Sequence, residues 1–359
     1  MPSPLTQWRT AVANRSTTAA RVVFCGDSIT ENSNASTQSN AWADRTLAAL
    51  RTAYPTTGGD TQRNFLPPHN VSGAVGEPYT SRTGTITEPF GQGHISWKNA
   101  AMAAGATQVY TLTGPATVYA RHRTGGGSYT IRVDAGAATT VNTATVGTGV
   151  GRSPGLAVAA GSHTVTITAT TAVTFSGLDV LGATVGIQGW VCGHHGIAAN
   201  DYVGYNPTEG DRWQAALNET APDLVTVWLG YNDYIGDVSD PKAPSMLTVN
   251  LRRIITRLRA LTKVPSILLI GGYHIDYEWP TTGGFFWAPY GEGQRAASDP
   301  GVEFLNLNAL MPAAMRVGTH PYYNADAVHP TDSGHARISE LVVERLTRVD
   351  PTGMLQLEA

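Results

Sequence analysis

The chain has 359 residues, enough for one large domain or two smaller ones around a sizeable apolar core. Only 14% of residues are charged, the formal net charge is −3 and no block of Lys or Arg stands out, which excludes the broad basic field of a nucleic-acid binder. Two cysteines, Cys25 and Cys192, exclude a disulfide framework and a cysteine-based zinc site, and are read as free, buried thiols at the ends of apolar runs.

The N-terminal stretch MPSPLTQWRTAVANRSTTAARVVF has no continuous apolar segment before a small-residue cleavage site, so no signal peptide is expected, and no stretch has the length of a membrane span. A soluble protein is expected. The compartment stays open, the glycine- and threonine-rich composition suiting work outside cells or on an extracellular particle. The run RVVF, ending at Phe24, is the first expected strand; it halts at Gly26-Asp27-Ser28, where a helix can begin. The segment NFLPPHNVSGAVGEPYTSRTGTITEPFGQGHISW has many Gly and Pro and little periodicity, and reads as a long connection.

From about Gln108 to Val180 the text turns rich in Thr, Val and Gly. Alternation in YTIRVD and HTVTITAT predicts short antiparallel strands, a β-sandwich or jelly-roll-like module inserted after the first strand. Four more near-continuous apolar runs end at Val191, Gly230, Gly272 and Leu307, the pattern of parallel strands covered on both faces. Between them SMLTVNLRRIITRLRAL puts Leu247, Leu251, Ile254, Ile255, Leu258 and Leu261 on one helical stripe, and ARISELVVERLTRV repeats the pattern. The fold class expected is α/β, a doubly wound layer with a five-stranded parallel sheet. Residues 1–65 and 183–359 would form one discontinuous domain, and residues 66–182 the inserted connection and β-sandwich.

Sites in such a sheet form at the carboxyl ends of the strands. That filter selects GDSIT, CGHHGIAAND, GYNDY, GGYHIDYEWP and, some twenty residues after the last strand, DAVHPTDSGH. The pieces fit a serine hydrolase: Ser28 as nucleophile, His329 as base, and Asp326, three residues before it, as the carboxylate that orients the imidazole. The amides of Ser28 and Gly196 and the side chain of Asn232 are the candidate oxyanion donors. Tyr231 and Tyr234, flanking Asn232, and Trp279 and Trp287, in the aromatic stretch after the fourth strand, are the candidate substrate contacts. His194 and His195 have no third ligand at familiar spacing, so no metal and no cofactor are expected; lining the mouth of the site and plain packing both remain open for them.

This pattern resembles the SGNH, or GDSL-type, esterases and lipases. Their four blocks stand in order as Gly26-Asp27-Ser28, Gly196 within GHHG, Gly230-Tyr231-Asn232-Asp233, and Asp326-Ala327-Val328-His329. The resemblance implies a flavodoxin-like three-layer fold and an acyl-serine mechanism. It implies Ser28 as nucleophile and donor, Gly196 and Asn232 as donors, and His329 and Asp326 as base and partner. Gly193 competes with Gly196 for the second block, and distance from the strand end favours Gly196. The insert resembles the jelly-roll companions of carbohydrate esterases, which implies a small-molecule or polysaccharide ester, with an O-acetylated glycan preferred. The alternatives are a lipid esterase or thioesterase, and a glycan-binding virion component such as a phage tail protein. The oligomeric state is not legible.

Overall fold

The computed structural model describes residues 3–71, 76–144, 149–203, 207–236, 243–275, 287–313 and 320–348. Among them, in chain order, the strands are β1 (Ala20–Gly26), β2 (Phe65–Leu66), β3 (Ser81–Thr83), β4 (Ile86–Thr87), β5 (Ala100–Met102), β6 (Thr107–Arg123), β7 (Ser128–Val133), β8 (Thr139–Asn142), β9 (Val150–Arg152), β10 (Leu156–Ala169), β11 (Val173–Leu181), β12 (Ile187–Gly193), β13 (Leu224–Trp228), β14 (Ser266–Gly271) and β15 (Glu303–Asn306). The helices are α1 (Thr6–Ala13), α2 (Ser28–Glu31), α3 (Trp42–Ala53), α4 (Ala199–Val203), α5 (Pro207–Thr220), α6 (Tyr231–Gly236), α7 (Ala243–Arg259), α8 (Trp287–Ala297), α9 (Leu307–Leu310) and α10 (Asp332–Thr347).

Five strands pair in parallel in the spatial order β12-β1-β13-β14-β15. This is the doubly wound order in which the winding reverses between the first strand and the third, opening a crevice there. Every residue of β12, β13 and β14 is buried. Strands covered on both faces have no polar side to alternate with, which is why they read as unbroken apolar runs. On α7 the stripe Leu247, Leu251, Ile254, Ile255 and Leu258 is buried, while Arg252 and Arg253 are exposed. Cys25 and Cys192 are register partners on β1 and β12, both free and buried. Burial pushes the Cys25 thiol up to about 12.

The remaining ten strands form one antiparallel sheet, with β6 and β10 as its long members. Phe175 on β11 pairs with His122 of β6, yet its ring centroid lies only 6.1 Å from that of Tyr110, near the other end of β6. Twelve residues of straight strand would separate them by about 40 Å, so the sheet bends back over its own apolar face. The bend falls where Gly114 pairs with Gly161 beside a register shift in β10. A β-carbon at Gly114 would lie 1.8 Å from the Ala159 carbonyl oxygen. Tyr110, Val118, Tyr129, Ile131, Val165, Ile167 and Phe175 fill the enclosed core, separate from the core of the parallel sheet. The sandwich is thus one open sheet folded over on itself. The segment expected as a plain connection carries β2, β3 and β4, and buries Ile95 and Trp97 in the core of the parallel sheet.

Buried polar pairs join the two sheets. Arg121 of β6, wholly buried, pairs with Asp179 of β11 at 2.7 Å and donates to Thr220 Oγ1 on α5 at 2.8 Å. Trp190 of β12 donates to the same Asp179 at 2.9 Å. Asn64 donates to the Val180 carbonyl and accepts the Gly189 amide. Removing one partner of a buried pair strands the other charge, at a cost of about 3–5 kcal/mol. Asp179→Ala is therefore expected to lower stability by that amount in urea unfolding, whereas Glu340→Ala, which breaks an exposed pair with Arg337, should change it by less than about 1 kcal/mol.

Candidate active site

Local devices fix Ser28 at the carboxyl end of β1. Gly26 has no room for a side chain: a β-carbon there would lie 2.2 Å from Thr30 Oγ1 and 2.7 Å from the Trp228 carbonyl oxygen. Asp27 caps α2, its Oδ1 accepting the Ile29 amide at 3.0 Å. Ser28 is the first residue of that helix, so its own amide has no intrahelical acceptor. The helix stops after one turn at Asn32, φ +104°. Burial pushes the Asp27 carboxyl up to about 7, against the pull of the Ile29 amide and of His329.

The expected base, His329, comes from the far end of the chain. Ser28 Oγ lies 2.9 Å from His329 Nε2, and His329 Nδ1 lies 2.7 Å from Asp326 Oδ2. A carboxylate can only accept, so Nδ1 carries the hydrogen and Nε2 is left to take the Ser28 hydroxyl proton. The other oxygen of Asp326 accepts the amides of Val328 and His329 at 3.0 and 2.9 Å, closing a turn that Ala327 completes at φ +54°. One side chain thus folds the turn and orients the ring. Partial burial raises the Asp326 pKa, but the hydrogen bonds from the His329 ring and the two amides outweigh it and bring it down to about 2. The Tyr273 hydroxyl donates to the Val328 carbonyl, bracing the loop against the end of β14.

Two further loops flank the serine. Gly193 is the seat of α2: a β-carbon there would lie 2.1 Å from the Glu31 amide nitrogen. Gly196, by contrast, is exposed and adopts φ +78°, a conformation that glycine takes freely. The Asn232 side-chain nitrogen donates to the Ile197 carbonyl at 2.8 Å, which ties the third block to the residue after Gly196 and uses one of its two hydrogens. Asp233 accepts the Ala199 amide at the start of α4 at 2.9 Å. Glu31, fully enclosed, accepts the His195 amide at 2.6 Å and the Val71 amide at 2.6 Å, and forms an ion pair with buried Lys98. Burial alone would raise the Glu31 carboxyl, but Lys98 and the Val71 amide outweigh it and hold it below its ordinary value.

The expected substrate contacts fare differently. Tyr231 is 2% exposed, with its hydroxyl bonded to the Tyr273 carbonyl at 2.8 Å, and Tyr234 is 4% exposed with its ring 5.1 Å from that of Tyr290. Both are core residues, a correction to their reading as substrate contacts. Along α6 successive side chains turn by about 100°, so sharing a loop with Asn232 does not mean sharing its direction. Trp279 lies outside the described residues. Trp287 opens α8, and its side chain also lies outside what is described. His194 is buried and donates to the His195 carbonyl at 2.7 Å; burial lowers its pKa to about 4. His195 is exposed, its ring parallel to that of His329 with centroids 6.3 Å apart. Sequence reasoning missed Glu31, Lys98 and Tyr273, which hold the loops, and gave Asp233 of the third block no role of its own. The one available signal was a charged residue, Glu31, following GDSIT on a one-turn helix.

Comparison with known proteins bears on the family and the fold. Residues 145–337, more than half of the chain, match the GDSL-like lipase/acylhydrolase family. The match starts within the insert and leaves out the first block, which the insert separates from the others. No curated protein sequence matches the chain. Among solved structures, a peptidoglycan O-acetylesterase superposes with a TM-score of 0.70 at 17% identity, covering 96% of this chain and 95% of that one. A family two carbohydrate esterase from Cellvibrio japonicus matches at 14% identity over 74% of this chain and 98% of that one, with a TM-score of 0.31. Among the described residues no helix is long and apolar enough to cross a membrane. The chain belongs to the GDSL-like lipase/acylhydrolase family and is an SGNH-type carboxylic ester hydrolase.

Proposed function

We propose that this esterase removes acetyl groups from O-acetylated glycans through an acyl-serine intermediate, with Ser28 as nucleophile, His329 as base and Asp326 as the partner of the base. The observation that carries the mechanism is the unbroken line from Ser28 Oγ to His329 Nε2 at 2.9 Å and from His329 Nδ1 to Asp326 at 2.7 Å. As Ser28 attacks the ester carbonyl, Nε2 takes its proton and Asp326 stabilises the imidazolium. The amides of Ser28 and Gly196 and the second hydrogen of Asn232 Nδ2 are the donors for the oxyanion. Collapse expels the sugar alcohol, which takes the proton from His329. Water, deprotonated by the same nitrogen, then releases acetate and restores the serine.

The glycan half of the reading is supported by the β-rich insert. Residues 66–182, proposed as a unit within a discontinuous catalytic domain of residues 1–65 and 183–359, reach the site through Val71 and Lys98 on Glu31. The weakly charged surface suits a neutral polymer. The superposition over 96% of this chain includes the insert, and the protein at the other end of it is a peptidoglycan O-acetylesterase. Acetate release from acetylated polysaccharides, compared with hydrolysis of long-chain lipid esters, tests the reading; preference for long chains would overturn it.

Three outcomes follow for the machinery. Ser28→Ala should lower kcat on a short ester by about 10⁶-fold with little change in Tm. Asn232→Ala should lower kcat by about 10²–10³-fold with a smaller effect on KM. Asp326 also sets a pH dependence. Its folded pKa of about 2 lies below the unfolded value of about 3.9, so its stabilisation is complete above the unfolded value and is lost as pH falls through the folded one. The Tm difference between wild type and Asp326→Asn, measured by scanning calorimetry, should hold from pH 7 to pH 5 and shrink between about pH 4 and pH 2.

A further inference from the structure

Phe90 belongs to the segment between β4 and β5 and is 58% exposed, the most exposed of the large apolar side chains among the described residues. It does not stand apart on the surface. Its ring meets the edge of His194 with centroids 4.9 Å apart, and a β-carbon on Gly196 would lie 3.7 Å from its Cε2. In the same loop, the exposed His195 ring runs parallel to the His329 ring at 6.3 Å. Val71, 42% exposed, is fixed beside the same loop, because its amide and that of His195 share the carboxylate of Glu31. Phe90 is thereby held against the loop that carries the proposed oxyanion donor, and the backbone of Val71 is anchored to the same carboxylate as that loop.

We propose that Phe90 is a specificity-determining residue, a platform on which the sugar ring bearing the scissile acetyl group stacks. The proposal rests on the glycan reading above and assigns the insert a direct part in it. An acyl chain needs a continuous apolar channel, whereas a pyranose presents one apolar C–H face with hydroxyls around its edge. A single exposed aromatic ring beside the bare backbone of Gly196 matches the second shape. The glycine also matters sterically: a β-carbon at residue 196 would sit in van der Waals contact with the ring of Phe90 and cover part of it. Leaving a phenyl ring exposed is unfavourable for the free enzyme, and a bound sugar that covers it recovers that free energy.

The test compares Phe90→Ala and Phe90→Trp with wild type on three esters: an acetylated polysaccharide, ethyl acetate and ethyl hexanoate. Ethyl esters are used because an aromatic leaving group could itself stack on the ring. The expected result is a fall of about tenfold in kcat/KM on the polysaccharide for Phe90→Ala, carried mainly by KM, with ethyl acetate unchanged and Phe90→Trp close to wild type. An equal loss on ethyl acetate, or no loss on the polysaccharide, would overturn the platform while leaving the glycan reading intact. A loss confined to ethyl hexanoate would reassign Phe90 to the acyl side and overturn it too. Failure of the wild type to release acetate from any acetylated polysaccharide, with ethyl acetate still hydrolysed, would overturn the glycan reading and the platform together.

Discussion

The buried carboxylate of Glu31 is the constraint on which the arrangement of the site depends. A charge removed from water costs several kcal/mol unless its lone pairs are met, and here they are met by three separate parts of the chain: the Val71 amide, the Lys98 ammonium and the His195 amide. Glu31 sits three residues after Ser28 on a helix of a single turn. The position of the proposed nucleophile, the loop of the proposed donor Gly196 and the approach of the insert are therefore set by one group. The insert is joined to the first sheet a second time through Arg121 and Asp179, on the flank formed by β12 and α5. Two buried polar anchors give the two sheets a defined relation that apolar contact, being non-directional, would not specify alone.

The same logic applies to the proposed base, His329. Residues 28 and 329 meet because β1 lies inside the parallel sheet, between β12 and β13, and the final loop returns to the end of β1 that carries the serine. Within that loop Asp326 closes a turn with one oxygen and holds the ring with the other. Tyr273 fixes Val328 from below, while Thr331 caps α10 immediately beyond it. Buried His335, whose Nδ1 accepts the Trp42 amide and whose Nε2 donates to the Ser33 carbonyl, locks that helix to the segment following the serine. The geometry at His329 thus has support on both sides in the chain.

Much of this was legible in the sequence, for definable reasons. Burial on both faces turns a strand into a continuous apolar run, so β12, β13 and β14 could be read from local text. GDS and DAVH are likewise short-range devices: a glycine where helix and strand touch, a cap, and a turn closed by its own aspartate. What stayed hidden depends on partners distant in sequence. No local pattern marks Lys98 as the counter-ion of Glu31 or Asp233 as the acceptor for the amide of Ala199. The connection after residue 65 lacks periodicity because buried polar groups such as Lys98 and Asn99, each placed by specific hydrogen bonds, hold it in place rather than an apolar stripe. Tyr231 and Tyr234 were misread for the opposite reason: nearness in sequence to Asn232 was taken as nearness in direction, which a helix does not preserve.

The most direct measurement of the central claim is covalent trapping. Incubating the protein with a fluorophosphonate, digesting it and locating the adduct by mass spectrometry reads which hydroxyl is activated. The expected result is a single adduct on Ser28 that disappears in His329→Ala while the variant remains folded. An adduct on any other residue, or labelling of Ser28 at an unchanged rate without the imidazole, would contradict the assignment of this serine and histidine as nucleophile and base.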